Sequence, residues 1–381
     1  MRVKKQEAGG KKQEARIGGS ANQRISESAS KRIDTPTTHN PEPTTQHSAL
    51  STQHSALLSV VIVSWNVREL LRRALASVVA SWGDVPGLEV IVVDNGSQDG
   101  SPTMVAQEFP QARLILNTDN RGYGAANNQG LDAASGEFLL VLNPDIEAVD
   151  DALPRLVDVM RAQPDIGMLG PQLLWPDGSV QSSRRNFPTL PVLFLESTWL
   201  EKLMPRQISR HYYVQDRPDD AMQDVDWITG AAMLTRRAVL EQVGGFDAGF
   251  FMYSEELDWC RRVKAAGWRV AYCSEARIVH HEGKSSEQVV AARHVYFQSS
   301  KVRYTRKYHG KGVAEVLRLW LMGQYVWQIA LEGIKWLIGH RRDLRAARIA
   351  AYRQVLKSGL RQTGPVQERG RGGEGGDKVT R

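Results

Sequence analysis

Ser135-Gly136-Glu137-Phe138-Leu139-Leu140-Val141-Leu142-Asn143-Pro144-Asp145 is the stretch whose reading decides the fold. Its apolar run, residues 138–142, stands between a Ser-Gly breaker and an Asn-Pro-Asp turn signal. A short run that is apolar at every position reads as a strand covered on both faces, as in a parallel sheet. Ligands of open α/β sheets gather at the carboxyl ends of the strands. Asp145 is therefore presented at that edge, where a carboxylate can meet a cation or a metal–phosphate complex. Asn-Pro-Asp equally suits a plain turn.

Toward the N-terminus, residues 58–63 read as a first strand leading into Ser64-Trp65-Asn66. Leu71, Leu75, Val78 and Val79 then recur at helical spacing. Residues 88–93 form a second apolar run ending in Asp94-Asn95-Gly96-Ser97, and a helix over 101–109 leads to a third strand at 113–116. This alternation predicts βαβ units and a parallel sheet. Asp94 and Asn95 stand at the ligand edge, where a carboxylate can accept hydrogen bonds from a ribose or a base. The glycine-rich Asn120-Arg121-Gly122-Tyr123-Gly124-Ala125-Ala126-Asn127-Asn128 follows the third strand. Small residues let backbone approach a ligand and Arg121 can pair with a phosphate, although a glycine-rich turn entering a helix over 125–134 reads equally simply. No Gly-x-Gly-x-x-Gly follows the first strand and no Gly-x-x-x-x-Gly-Lys-Ser/Thr occurs. Dinucleotide enzymes and P-loop NTPases are thereby disfavoured.

Toward the C-terminus, the spacing predicts a helix over 151–162, a strand over 166–169, and a hairpin over 173–180 turning at Asp177-Gly178. Residues 184–222 read as helix and loop beside a substrate, 231–234 as an apolar run, 238–243 as a helix, and 267–272 as an edge strand. Glu255, Glu256 and Asp258 crowd a helix start, where negative charge is favoured. Adjacent carboxylates push one pKa upward, a usual way to make a general base. His280-His281-Glu282 offers metal donors without zinc-site spacing, and a hydrogen-bonding histidine is the plainer reading. Residues 287–309 look helical. Residues 316–338 are strongly apolar but interrupted by Arg318, Gln324, Gln328, Glu332 and Lys335. That pattern predicts an amphipathic helix lying in a membrane interface, with arginines 341, 342, 345 and 348 beyond it, or one packed on a partner.

The 381 residues carry a formal charge of +7, which divides as +4 for 1–57, −4 for 58–339 and +7 for 340–381. The folded body is thus acidic, which speaks against a nucleic-acid enzyme, and the basic C-terminal region suits an anionic membrane surface. Segment 1–57 lacks Phe, Trp, Tyr and Cys and reads as disordered and as no signal peptide; the Gly/Arg-rich 361–381 reads likewise as disordered. Two cysteines without ligand spacing point to a reducing cytosol. The expected organisation is an enzyme domain over 58–310 and a helical, membrane-associating region over 311–360, at the inner face of the plasma membrane.

In order, Val-Ser-Trp-Asn at 63–66, Val-Asp-Asn-Gly-Ser at 93–97, the 120–128 segment, Leu-Asn-Pro-Asp at 142–145, Trp-Ile-Thr-Gly-Ala at 227–231, Gly-Gly-Phe-Asp at 244–247, Phe-Met-Tyr-Ser-Glu-Glu-Leu-Asp-Trp-Cys-Arg-Arg at 251–262 and His-His-Glu-Gly-Lys-Ser-Ser at 280–286 resemble inverting family 2 glycosyltransferases. Within that family the sequence looks closest to bacterial rhamnosyltransferases. The resemblance implies a GT-A fold: α/β, with a mostly parallel central sheet flanked by helices, here followed by C-terminal amphipathic helices. It implies nucleotide-sugar binding by Ser64, Asn66, Asp94, Asn95, Arg121, Asn127 and Asn143. It also implies a Mg²⁺ or Mn²⁺ ion held by Asp145 and His280, with His281 the alternative. The base is one of Glu256, Glu255 and Asp258, and Glu256 stands where the family has Asp. Asn143 likewise replaces the first Asp of the family's Asp-x-Asp motif. The implied reaction moves L-rhamnose from dTDP-L-rhamnose to a lipid-linked or cell-surface polysaccharide precursor. The same fold using a UDP-hexose, or a non-catalytic glycan-binding domain, are the alternatives.

Overall fold

The computed structural model describes residues 55–281, 290–361 and 364. The expected disorder of 1–54 and of most of the C-terminal tail, and the residues Glu282–Ser286 of the last motif, lie outside the described residues. Residues Gln53–Arg381 make one compact unit.

The first half alternates as the sequence predicts: β1 (Ala56–Ser64), α1 (Arg68–Trp82), β2 (Leu88–Asp94), α2 (Ser101–Glu108), β3 (Arg113–Leu116), α3 (Tyr123–Ala133) and β4 (Gly136–Leu142). Then come β5 (Ile146–Ala148), α4 (Ala152–Ala162), β6 (Ile166–Leu174), β7 (Val180–Gln181) and β8 (Arg184–Arg185). Helices α5 (Leu190–Leu195) and α6 (Arg206–Tyr212) fill the stretch expected beside a substrate. The chain continues through β9 (Gln223–Asp224), β10 (Trp227–Ile228), β11 (Ala232–Arg236), α7 (Arg237–Val243), α8 (Glu255–Ala265) and β12 (Arg269–His280). It closes on α9 (Val290–Leu337) and α10 (Arg342–Ser358).

The central sheet runs β3-β2-β1-β4-β11-β6-β12-β5. Pairs β2–β3, β1–β2, β1–β4 and β6–β12 are parallel, whereas β11 runs antiparallel between β4 and β6. The sheet is therefore mixed, with its parallel block at the N-terminal side. Both faces are covered, as the 138–142 run requires: Phe138, Leu140 and Leu142 enter one core cluster with Leu71, Leu75 and Leu153, while Leu139 and Val141 enter another with Ala126, Trp259 and Leu321. The hairpin turn forms as expected, with Trp175 and Ser179 joined across Asp177-Gly178 at 2.8 Å.

Two expectations need correction. The strand read at 267–272 runs on to His280 and is no edge: it pairs with β6, β5 and β9. A register shift between Cys273 and Arg277 takes Ser274 and Glu275 out of the ladder, so their polarity hides the continuation. The first strand, read over 58–63, spans Ala56–Ser64. Gly310, with a φ of 88°, kinks α9, and the second arm packs by Leu317, Leu321 and Tyr325 into the core shared with the sheet.

Candidate active site

Ser64, Asp94 and Asn143 meet at one edge because β1, β2 and β4 are parallel and adjacent, with Ser64 opposite Asp94 and Ile62 opposite Leu142. Asp94 is buried. Its Oδ2 accepts from the Gly96 and Ser97 amides at 3.1 and 2.9 Å, fixing the turn. Its Oδ1, like Ser64 Oγ and Asn127 Oδ1, is buried without a hydrogen-bond partner. Such atoms are costly unless something supplies their bonds. Asn66 and Asn95 are framework: Asn66 accepts from the Gln98 amide at 2.7 Å, and Asn95 Oδ1 accepts from Asn117 at 3.0 Å. Arg121 is exposed on the rim, 3.9 Å from Asp119.

On the same edge, Asp145 Oδ1 lies 3.4 Å from His280 Nε2, both side chains buried. His280 Nδ1 is 2.8 Å from Gln181 Oε1; a proton donated there would leave Nε2 its lone pair for an ion beside Asp145. Asn143 Nδ2 also approaches Nε2, at 3.5 Å. His281, one residue on, points to the other face of β12 and bonds Glu147 at 2.8 Å. Among the described residues no three His, Cys, Asp or Glu side chains gather as an ion site. One carboxylate and one imidazole with the lone pair turned inward nevertheless fit an ion whose remaining positions go to phosphate oxygens and water.

The acidic cluster opens α8 on a strained backbone: Tyr253 and Ser254 sit at φ of 71° and 65°. Glu255 is buried, and burial, then the charge of Glu256, raises its pKa well above the carboxylate range. Glu256 is half-buried with Oε2 unpartnered, and burial lifts its pKa to about 7 against the pull of backbone amides at 254, 256 and 257. Asp258 differs: it is fully buried and paired with Lys307 at 2.6 Å, Arg262 at 2.9 Å and the Tyr308 hydroxyl at 2.8 Å. The bonds to Lys307 and Tyr308 tie α8 to α9.

The structure adds residues that spacing alone did not single out. Tyr123 donates to Gly230 O at 2.6 Å; burial, then the charges of Glu255 and Glu256 and last that of Asp145, hold its pKa well above the usual value. A Cβ on Gly230 would lie 3.6 Å from both Glu256 Cβ and the Tyr123 hydroxyl, and the Asn143 amide donates to Ala231 O at 2.9 Å, so the acidic helix start and the Asn143-Pro144-Asp145 turn both adjoin the segment Gly230-Ala231. Asn128 donates to Phe246 O at 2.9 Å and accepts from Phe246 N at 2.8 Å. The Tyr123 amide donates to Phe251 O at 2.9 Å, and a Cβ on Gly122 (φ 85°) would meet that oxygen at 2.5 Å. Segment 120–128, joined to the end of β2 by Asn95 Nδ2 donating to Gly122 O at 3.4 Å, is thus sewn to 244–251, which leads into the acidic cluster. The repeated Asn127-Asn128 was the only sequence signal; nothing marked Gln181.

The Glycosyl transferase family 2 model matches residues 59–260, the span holding Ser64, Asp94, Asp145 and Glu256. The chain belongs to glycosyl transferase family 2. A Glycosyl transferase family 21 model also matches residues 207–337. An N-acetylglucosaminyl-diphospho-decaprenol L-rhamnosyltransferase of Mycobacterium tuberculosis is 34% identical over 241 residues, 60% of this chain and 78% of that protein. The O-antigen biosynthesis protein RfbC of Myxococcus xanthus is 30% identical over 235 residues, 59% of this chain and 17% of that protein. The rhamnosyltransferase WbbL of Escherichia coli is 24% identical over 261 residues, 65% and 92% of the two chains. For this family 2 glycosyltransferase, the expected family and the mixed α/β architecture with C-terminal helices both hold.

Proposed function

We propose that the chain is an inverting, metal-dependent enzyme that moves L-rhamnose from dTDP-L-rhamnose to a hydroxyl of a lipid-linked or cell-surface polysaccharide precursor. The observation that carries the chemistry is Glu256, a half-buried carboxylate lifted by burial to a pKa of about 7 and set against Gly230, whose neighbour Ala231 is bonded by the Asn143 amide of the Asn143-Pro144-Asp145 turn. A base with that pKa is half deprotonated near neutrality and still basic enough to take a proton. The rhamnose assignment is supported by the names of the mycobacterial and E. coli relatives.

In this reading Ser64 Oγ, Asp94 Oδ1 and Asn127 Oδ1 receive the nucleotide, which supplies their missing partners, and Asn66 and Asn95 hold the loops around it. Arg121 brings a cation to the diphosphate from the rim. Asp145 and His280 hold a divalent ion, with Asn143 beside them. A bound Mg²⁺ or Mn²⁺ offsets the charge that builds on the leaving diphosphate. Glu256 removes the proton of the acceptor hydroxyl, and that oxygen attacks the anomeric carbon opposite the diphosphate. The sugar–phosphate bond breaks with its electron pair going to the diphosphate, so one displacement inverts the centre. Glu255, whose carboxyl is held well above the usual range by burial and by the Glu256 charge, lies beside Glu256, and Asp258, engaged by Lys307, Arg262 and Tyr308, positions α8.

The test is mass spectrometry of products from purified protein, a donor panel and prenyl-diphosphate-linked sugar acceptors. Transfer from dTDP-L-rhamnose is expected. Transfer from UDP-hexoses alone would sink the rhamnose assignment and keep the chemistry. Glycan binding without transfer from any donor would sink both.

A further inference from the structure

The second arm of α9 has two apolar faces, of which one is covered among the described residues. Leu317, Leu321 and Tyr325 are buried in the core, and the Trp320 indole donates to Phe194 O at 2.9 Å. On the other side Val316, Leu319, Val326, Trp327, Ile334 and Leu337 are all exposed, from 49% for Trp327 to 70% for Leu337. At helical geometry these six lie within about 100° of arc along about 32 Å, and the only other residues in that arc are Gly323 and Ala330. The arc carries no charge. A second element extends it: Trp199 packs against Trp327 with ring centroids 6.4 Å apart, and Trp199 and Leu203 are 53% and 71% exposed.

One end of this surface is cationic. Ile338 is 78% exposed, and Lys335, His340, Arg341, Arg342 and Arg348 surround the turn into α10, with Arg342 lying 5.4 Å from the Trp336 ring centre. Arg345 is not part of this fringe, contrary to the sequence expectation: it is buried on Glu332 at 2.7 Å. Glu332 also pairs with Lys335 and Arg348, and Asp343 is the one exposed carboxylate among described residues 334–353. No helix among the described residues is long and apolar enough to cross a membrane.

We infer that this stripe, Trp199 and Leu203 form a platform on which the protein lies in the interface of an anionic lipid bilayer, with the α9–α10 turn among the headgroups. A flat uncharged stripe with tryptophans and a cationic end is what an interfacial helix presents to such a surface. The platform also fixes where the chemistry happens. The first arm of α9 packs on the strained loop before Glu255: Tyr296 stacks on Phe251 at 4.5 Å, Phe297 meets Tyr253 at 5.5 Å, and Ser300 Oγ donates to Met252 O at 2.8 Å. The base loop therefore rests on one arm of a bent helix whose other arm carries the platform.

The experiment is co-sedimentation of the full chain with vesicles of phosphatidylcholine alone or mixed with phosphatidylglycerol, with no sugar donor present, so its outcome is independent of the donor panel. Wild type should bind the anionic vesicles at least about tenfold better and release with added salt. The triple variant Leu319→Ser, Val326→Ser, Ile334→Ser, at exposed positions, should lose at least about tenfold in binding while melting like wild type. Arg341→Gln and Arg342→Gln should each lose roughly fivefold, and only toward anionic vesicles. Unchanged binding of the triple variant, or no binding of wild type, overturns the proposal. So does a wild-type dimer that the triple variant dissociates without any vesicle binding, since the stripe would then cover a second copy.

Discussion

The two carboxylate clusters of this site are built in opposite ways. Asp94 stands at the end of a parallel strand and is satisfied on one side by backbone amides, with a single orphan oxygen left over. Glu255 and Glu256 start a helix behind two residues at positive φ, each with a buried orphan oxygen and a pKa pushed upward by burial. The strand-end group is shaped to hold a ligand, and the helix-start group to hold a proton. Sheet topology supplies the first cheaply, because any parallel strand ends there. The second needs strain and desolvation that only tertiary packing maintains.

The strongest way to break this contrast is to remove the proton acceptor. Glu256→Gln should lower kcat by about 10²–10⁴-fold with the fold intact, as read by donor turnover and circular dichroism. Near-normal turnover would move the base to Glu255. Asp145→Ala should cut turnover by a similar factor, and added Mn²⁺ should not restore it. Next comes the seam between the clusters: Asn128→Ala should cost about 1–3 kcal/mol in denaturant unfolding by orphaning both polar groups of Phe246, and should lower kcat more than it raises donor KM. Asp94→Asn should act on binding, raising donor KM about tenfold with kcat little changed.

The smallest effect concerns pH, and its two signs oppose each other. Turnover should rise with pH through about 7, where Glu256 loses its proton. Stability should move the other way: with the folded pKa above the ordinary value of 4.5, the folded state binds the proton more tightly than the unfolded chain. That stabilisation is complete below 4.5 and is lost as pH rises toward about 7. Urea unfolding from pH 4 to 8 checks it, and Glu256→Gln should flatten the slope while making the protein more stable at pH 8. An unchanged slope would mean that the group titrates normally.

How much of this was legible depends on whether a residue's role is local. Asp94 and Asp145 were readable because a buried strand and its end are local patterns, and the acidic cluster because three carboxylates crowd one helix start. Asp258 shares that helix turn but faces inward, and only its contacts with Lys307 and Tyr308, some 50 residues on, set it apart from Glu256. β11 reads the same whether parallel or antiparallel, so the mixed half of the sheet was hidden. Arg345 looked like its neighbours until Glu332 was found beneath it.

The paired hydrogen bonds between the Asn128 side chain and the Phe246 backbone bear on how such enzymes can be recombined. Segments 120–128 and 244–251 are separated by more than a hundred residues yet form one structural cassette. A chimera that exchanges the nucleotide-side loop alone would confront a mismatched partner across Gly122 and Phe251. Donor specificity should therefore transplant between relatives only when both segments travel together.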